Sequence, residues 1–301
     1  MGLKSQKILG ISVTTDSKET ILEYIEKYLG KSSAISSQLS AKQKKPLIVA
    51  TPNPEQIVLA QRDKHFAQIL NEADVAIPDG VGLVTAMWLL EKRSAVSGQR
   101  SALKRIPGVE FMEDLVRLAA ERGYPVALIG GRAGVAAEAL ECLQVRNPGP
   151  KGWAMDPGEL HLGSLGDLDN LSNLKNTTEK IRSTGTRLVF VGLGAPKQEY
   201  FIEKLKTQNS NLKIETQNSN LQKIQGENTS SIVLMSVGGS FDIIAGKTPR
   251  APLILRAIGV EWLWRLVREP WRWRRQVSLV QFLWLVLGEK FASQGPSTSS
   301  G

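Results

Sequence analysis

Short, uninterrupted apolar runs alternate with longer stretches of helical spacing along most of this chain. Residues 47–50, 126–129, 188–191 and 232–237 each read as a strand, and the uninterrupted run at 188–191 has the pattern of one buried on both faces of a parallel sheet. Residues 74–77 form a shorter candidate, and 7–14 alternate weakly, as a strand or hairpin arm does. Ile21, Leu22, Ile25 and Leu29 mark a helix over 18–29. Further helices are expected from Glu55 onward and over 81–90, 107–122, 135–143, 168–183 and 197–206. Residues 31–45 and the basic 92–105 read as loops, whereas the Gly/Pro-rich 147–165 follows neither period. Residues 206–228 are polar and repeat TQNSNL, at Thr207 and again at Thr216, which reads as a solvated insertion. The stretch after Gly295 reads as a disordered Ser/Gly tail. Strands alternating with helices, with glycine or proline turns at the strand C-terminal ends, predict an open, mostly parallel α/β sheet with ligands along one edge.

Composition narrows the classes. At 301 residues, 42% hydrophobic and 22% charged, the chain is globular and long enough for a large core. Its one cysteine, Cys142, excludes an internal disulfide, and with only His65 and His161 beside it neither a zinc site nor a His-based triad is expected. The first ten residues lack a signal-peptide core, and Gln6 breaks the myristoylation pattern. No run reaches the roughly 18 apolar residues of a membrane span, since Ser278 and Gln281 interrupt the best candidate at 277–287. The net charge of +9 is uneven: residues 247–275 hold eight Lys/Arg against Glu261 and Glu269, two-thirds of the excess.

Three loops leave strand ends and can converge: Thr51-x-Asn53, Pro78-Asp79-Gly80 and the turn of RLVFVGLGAPKQEY at 187–200. In the last, Gly192 and Gly194 open a turn, Pro196 suits a first helical position, and Lys197, Gln198 and Glu199 cluster at what is expected to be an anion-binding mouth. Asp79 follows a buried strand and precedes an apolar helix, the place for either a helix cap or a general base. Thr51 and Asn53 either orient a substrate or form a turn before Pro54. Gly130-Gly131-x-x-Gly134 approaches a dinucleotide fingerprint with the wrong first spacing, and tight strand–helix packing explains it equally. A nicotinamide-binding oxidoreductase is the alternative that this turn suggests. Asp167-x-Asp169 has the form of a metal-holding pair, but with no strand before it the reading is helix capping.

Five of the seven tryptophans, Trp262, Trp264, Trp271, Trp273 and Trp284, interleave with the arginines of the C-terminal segment. Trp with Arg suits a membrane interface, where rings lie at headgroup depth and cations meet anionic lipid. The same mixture suits single-stranded nucleic acid, so a basic nucleic-acid-binding module is a further alternative. The apolar 279–287 favours lipid, and a helix packed on its own domain is the plain structural reading.

Seven ordered stretches resemble one family. TPNPEQIVLA at Thr51, ADVAIPDGVGLV at Ala73, RIPGVEFM at Arg105, ALIGGRAGVAAEA at Ala127, VGLGAPKQE at Val191, SVGGSFDIIAGKTPRAP at Ser236 and GVEWLWRLVREPWRWRR at Gly259 are similar to the WecG/TagA/CpsF glycosyltransferases. The resemblance implies a Rossmann-like core over 1–250, a basic amphipathic helical appendage over 251–291 that associates with membrane, and a disordered tail over 292–301. It implies inverting transfer of an N-acetylhexosamine such as ManNAc from a UDP-sugar to an undecaprenyl-diphosphate-linked acceptor. No metal or other cofactor and no nucleic-acid partner is expected, and the place is the cytoplasm, at an anionic surface on the inner face of the cytoplasmic membrane. By the same resemblance Asp79 is the base, with Thr51 and Asn53 beside it, and Arg105, Gly130, Gly131, Gln198 and Asp242 meet the donor. Asp242 is matched to the uracil N3–H, and Arg265, Arg272 and Arg275 to a diphosphate. The family's aromatic Gly-Tyr pattern is missing from 151–160.

Overall fold

The apolar runs pair into one central sheet. The computed structural model describes residues 2–30, 45–90, 104–149, 151–158, 161–162, 168–169, 171–216, 231–257, 261–268, 270 and 273–292. Strands β1 (Ser5–Ile8) and β2 (Ile11–Thr14) form an antiparallel hairpin ahead of α1 (Lys18–Gly30). Next come β3 (Leu47–Ala50), α2 (Pro54–Ala60), α3 (Lys64–Asn71), β4 (Val75–Ala76), α4 (Val81–Leu90) and α5 (Gly108–Arg122). The middle of the chain supplies β5 (Val126–Gly130), α6 (Val135–Arg146), β6 (Gly152–Met155), β7 (His161–Leu162), β8 (Leu168–Asp169) and α7 (Leu171–Ser183). The last third holds β9 (Leu188–Gly192), α8 (Lys197–Thr216), β10 (Val233–Ser236), α9 (Ser240–Ile244), α10 (Leu253–Ala257), α11 (Glu261–Arg268) and α12 (Trp273–Ala292).

Six strands make a wholly parallel sheet in the order β4-β3-β10-β9-β5-β6, the open Rossmann-like arrangement. Successive side chains on a strand point to opposite faces, and here both faces are covered. Val189, Val191, Ala127, Ile129 and Leu234 join one core with α2, α3, α4 and α8. Leu188, Phe190, Val126, Leu128 and Met235 join the other with α1, α5, α6 and α9. That double burial is why these strands read as continuous apolar runs. All six end at one edge of the sheet, where the loops of the site gather.

Gly130 and Gly192 set how closely β5 and β9 approach there. Gly130 has φ +111°, and a Cβ on it would lie 2.6 Å from the Gly192 carbonyl oxygen. Gly130→Ala is therefore expected to cost about 2–4 kcal/mol from backbone strain and overpacking together, read as a lower denaturant midpoint.

Several expectations are corrected. The helix expected from Glu55 is two, because Asp63 accepts from the Phe66 N–H and caps a second start. The unassigned 147–165 contains edge strand β6, whose residues are all half-buried. Helix α8 continues to Thr216, well into the stretch read as an insertion; the rest of it, 217–228, lies outside the described residues. Leu168 and Asp169 pair as a strand with His161 and Leu162 instead of opening a helix. The expected loops at 31–44 and 91–103 and the tail after 292 also lie outside the described residues.

The C-terminal segment is built into the core. Phe282 and Val286 of α12 are fully buried in the same cluster as Ile57 of α2 and Met87 of α4, and Glu289 accepts from the Leu9 N–H at 3.0 Å. Its opposite face carries Val277, Val280, Trp284, Leu287 and Phe291, all exposed and spaced by alternating steps of three and four, which puts them in one stripe. No helix among the described residues is long and apolar enough to cross a membrane.

Candidate active site

A cavity of about 650 Å³ opens at the C-terminal edge of the sheet. Thr51, Asn53, Asp79, Arg105 and Gln198 all line it, brought together by the loops after β3, β4 and β9 and by the segment before α5. Such a volume suits a substrate of nucleotide-sugar size.

Each side chain is held by its local structure. Thr51 follows β3, is buried, and donates its hydroxyl to the Ser236 carbonyl at 3.3 Å. Asn53 caps α2: its Oδ1 accepts from the Gln56 N–H, while Gln56 Oε1 accepts from the Asn53 N–H, a complete capping box. With Oδ1 committed, donation to a ligand falls to Asn53 Nδ2.

Asp79 stands in the turn between β4 and α4, its N–H donating to the Pro52 carbonyl at 3.3 Å. Its side chain is 34% exposed, open to the cavity. The Arg105 Nη2 lies 3.9 Å from Asp79 Oδ1 and donates to Glu261 Oε2 at 2.9 Å. Arg105 thus sets a positive charge beside Asp79 while Glu261, buried at the start of α11, holds it in place. Gly108 leaves room here, because a Cβ on it would reach 3.4 Å from Thr51 Cγ2 and 3.5 Å from Asp79 Oδ2.

The turn after β9 is less exposed than expected. Gln198 and Glu199 are buried at 2% and 3% instead of standing at a solvent-facing mouth. Gln198 Oε1 accepts from the Gly238 N–H at 2.9 Å, and its Nε2 donates to Glu199 Oε1 at 2.7 Å. Gln56 Nε2 donates to the same oxygen at 2.9 Å. Burial pushes the Glu199 carboxyl up to about 7, against the lowering effect of these hydrogen bonds.

The C-terminal helices supply a wall. Trp262 of α11 and Leu279 and Leu283 of α12 line the cavity. Trp262 and Leu283 are also surface-exposed, so the opening borders the apolar surface of α11 and α12. Among the described residues no group of three His, Cys, Asp or Glu is placed to hold a metal ion.

The sequence profile of the glycosyl transferase WecG/TagA/CpsF family matches residues 7–296. The chain belongs to the WecG/TagA/CpsF glycosyltransferase family. It is similar to a Bacillus spizizenii protein named N-acetylglucosaminyldiphosphoundecaprenol N-acetyl-beta-D-mannosaminyltransferase, 27% identical over 254 residues that cover 84% of each chain. A Bacillus subtilis protein of the same name is 23% identical over 288 residues, 96% of this chain and 93% of its own.

Within this WecG/TagA/CpsF chain, three donor-site expectations fall elsewhere. Gly130 and Gly131 do not line the cavity: Gly131 N–H donates to the Gly192 carbonyl at 3.1 Å, and a Cβ on it would meet the Ala136 nitrogen at 3.1 Å. Their missing side chains serve strand and helix packing. Asp242 also stands outside the lining, in the first turn of α9, with Gly239 and Ser240 of the lining just before it. Of the arginines, Arg265 lies in α11 and Arg275 in α12, while Arg272 is outside the described residues. Arg265 and Arg275 therefore stand on different helices, since α11 ends at Arg268 and α12 starts at Trp273.

Sequence reasoning missed Gln56 and Glu261, and it set Glu199 at a mouth instead of in a buried network. Gln56 had a readable signal in the Asn53-x-x-Gln56 capping-box spacing. Glu261 had none, since its partner Arg105 lies 156 positions away.

Proposed function

We propose that this glycosyltransferase moves an N-acetylhexosamine, such as ManNAc, from a UDP-sugar to undecaprenyl-diphosphate-linked GlcNAc, inverting the anomeric carbon. The convergence of Asp79, Thr51, Asn53, Arg105 and Gln198 on one cavity carries the reading, and the names of the two Bacillus relatives supply the sugar and the acceptor.

In this reading Asp79 takes the proton of the acceptor hydroxyl as that oxygen attacks the anomeric carbon. The bond from that carbon to the β-phosphate oxygen breaks, and its electron pair leaves with UDP. Arg105 is the cation at hand for the charge that develops on the diphosphate, so no metal is required. Thr51, Asn53 and Gln198 hold the reacting sugars. Asp242 remains a candidate partner of the uracil and Arg265, Arg272 and Arg275 of a lipid diphosphate. The stripe on α12 and the border shared by Trp262 and Leu283 support a peripheral position on the inner face of the cytoplasmic membrane, where a lipid-linked acceptor enters the cavity from the bilayer.

The stereochemistry tests the reaction. With UDP-ManNAc, the lipid-linked GlcNAc and EDTA, we expect a lipid-linked disaccharide whose new linkage is β by NMR. An α linkage would refute inversion, and activity restored only by added divalent metal would refute metal independence.

A further inference from the structure

Glu199 does not line the cavity; it lies beneath it, and three loops of the cavity wall hang on it. One oxygen, Oε1, accepts from Gln56 Nε2 at 2.9 Å and from Gln198 Nε2 at 2.7 Å. The far end of Gln56 accepts from the Asn53 N–H at 3.1 Å, and the far end of Gln198 accepts from the Gly238 N–H at 2.9 Å. The loops after β3, β9 and β10 thus share one acceptor atom.

We infer that Glu199 is the positioning residue of the cleft: by drawing both amide nitrogens inward, it turns both amide oxygens toward the Asn53 and Gly238 N–H groups. The reason lies in what each group can do. An ionised carboxylate only accepts, whereas each glutamine amide has a donating and an accepting end. With an apolar residue at this position both amide nitrogens lose their acceptor, and only the Asn53 and Gly238 N–H groups still select the oxygen ends. A flipped Gln56 would set an NH₂ against the Asn53 N–H and break the capping box; a flipped Gln198 would do the same to Gly238. Leaving such buried groups unsatisfied is costly.

The hub works in either protonation state. Glu199 Oε2 and Ser236 Oγ are both buried without a well-formed hydrogen bond, the Ser236 hydroxyl still acts on the carboxyl, and both residues line the same small void. A proton on Oε2 leaves Oε1 free to accept. A glutamine at 199 presents the same arrangement, carbonyl oxygen toward the two amides and nitrogen toward Ser236. Leucine presents neither. That the positioned groups face a sugar nucleotide rests on the transferase reading above; the hub itself does not.

Two measurements test it. In steady-state transfer, Glu199→Leu is expected to lower kcat/KM for the UDP-sugar about tenfold or more, mainly through KM, with Glu199→Gln within about threefold of wild type. Equal loss in both variants would overturn the positioning role. If Glu199→Leu fails to fold, the wild-type chain gives the answer alone. By NMR, the side-chain amide protons of Gln56 and Gln198 are expected to exchange with solvent about 10² more slowly than those of exposed glutamines. Exchange at the exposed rate would overturn the inference. That readout needs no donor, so protected amides in a chain inactive toward every UDP-sugar would uphold the hub and count only against the transferase reading.

Discussion

Asp79→Asn is expected to reduce transfer by about 10²–10⁴ in kcat, the range a positioned general base contributes. Asparagine keeps the shape and hydrogen-bonding reach of aspartate but has no lone pair basic enough to take the acceptor proton. The structure argues that little else would change. The side chain is one-third exposed. Its neighbour Arg105 keeps the shorter contact to Glu261 at 2.9 Å when the 3.9 Å approach to Asp79 loses its charge. KM for the donor and the melting temperature should therefore stay close to wild type. Turnover within a few-fold of wild type, in a folded variant, would remove Asp79 from the role of base and leave it as a turn residue.

The second large effect concerns lipid. Trp284→Glu with Phe291→Glu is expected to lower partition onto anionic vesicles by about 10² or more, because each ring withdrawn from the interface removes on the order of 2 kcal/mol of apolar burial. These side chains are 75% and 69% exposed in the free protein, so stability should hardly move. Activity on a vesicle-borne acceptor should fall with binding, while activity on a short-chain, water-soluble acceptor should persist. Unchanged vesicle binding would contradict the assignment of this stripe to the membrane. Truncation before α11 would be a poorer experiment, since it also removes buried Phe282 and Val286, the Glu261 partner of Arg105 and one cavity wall.

The same contrast explains what could be read in the chain without coordinates. Strands β3, β5, β9 and β10 announce themselves because helices cover both faces, which leaves four or five apolar residues in a row. Strand β6 does not, since Gly152-Trp-Ala-Met lies at the sheet edge, half-buried and framed by glycine and proline. Thr51, Asn53, Asp79 and Gln198 were legible as a group because each stands just after a strand, and a parallel sheet delivers all such loops to one edge. Gly130 ends β5 and Gly131 follows it, yet the close approach to Gly192 uses them for packing. Local pattern cannot tell a glycine that admits a ligand from one that admits another backbone. Glu199 and Glu261 were opaque for a related reason. A polar residue next to Gln198, or at the start of an Arg/Trp helix, looks solvated until its distant partners are in place.

Transfer itself decides whether this chain is a UDP-sugar-dependent transferase. Labelled UDP-ManNAc, UDP-GlcNAc and UDP-GalNAc would each be offered with undecaprenyl-diphosphate-GlcNAc in anionic vesicles, and the lipid fraction followed for a new disaccharide. Label is expected in the lipid fraction from UDP-ManNAc, dependent on the acceptor and lost in Asp79→Asn. No transfer from any UDP-N-acetylhexosamine, in a preparation that binds the vesicles, would contradict it.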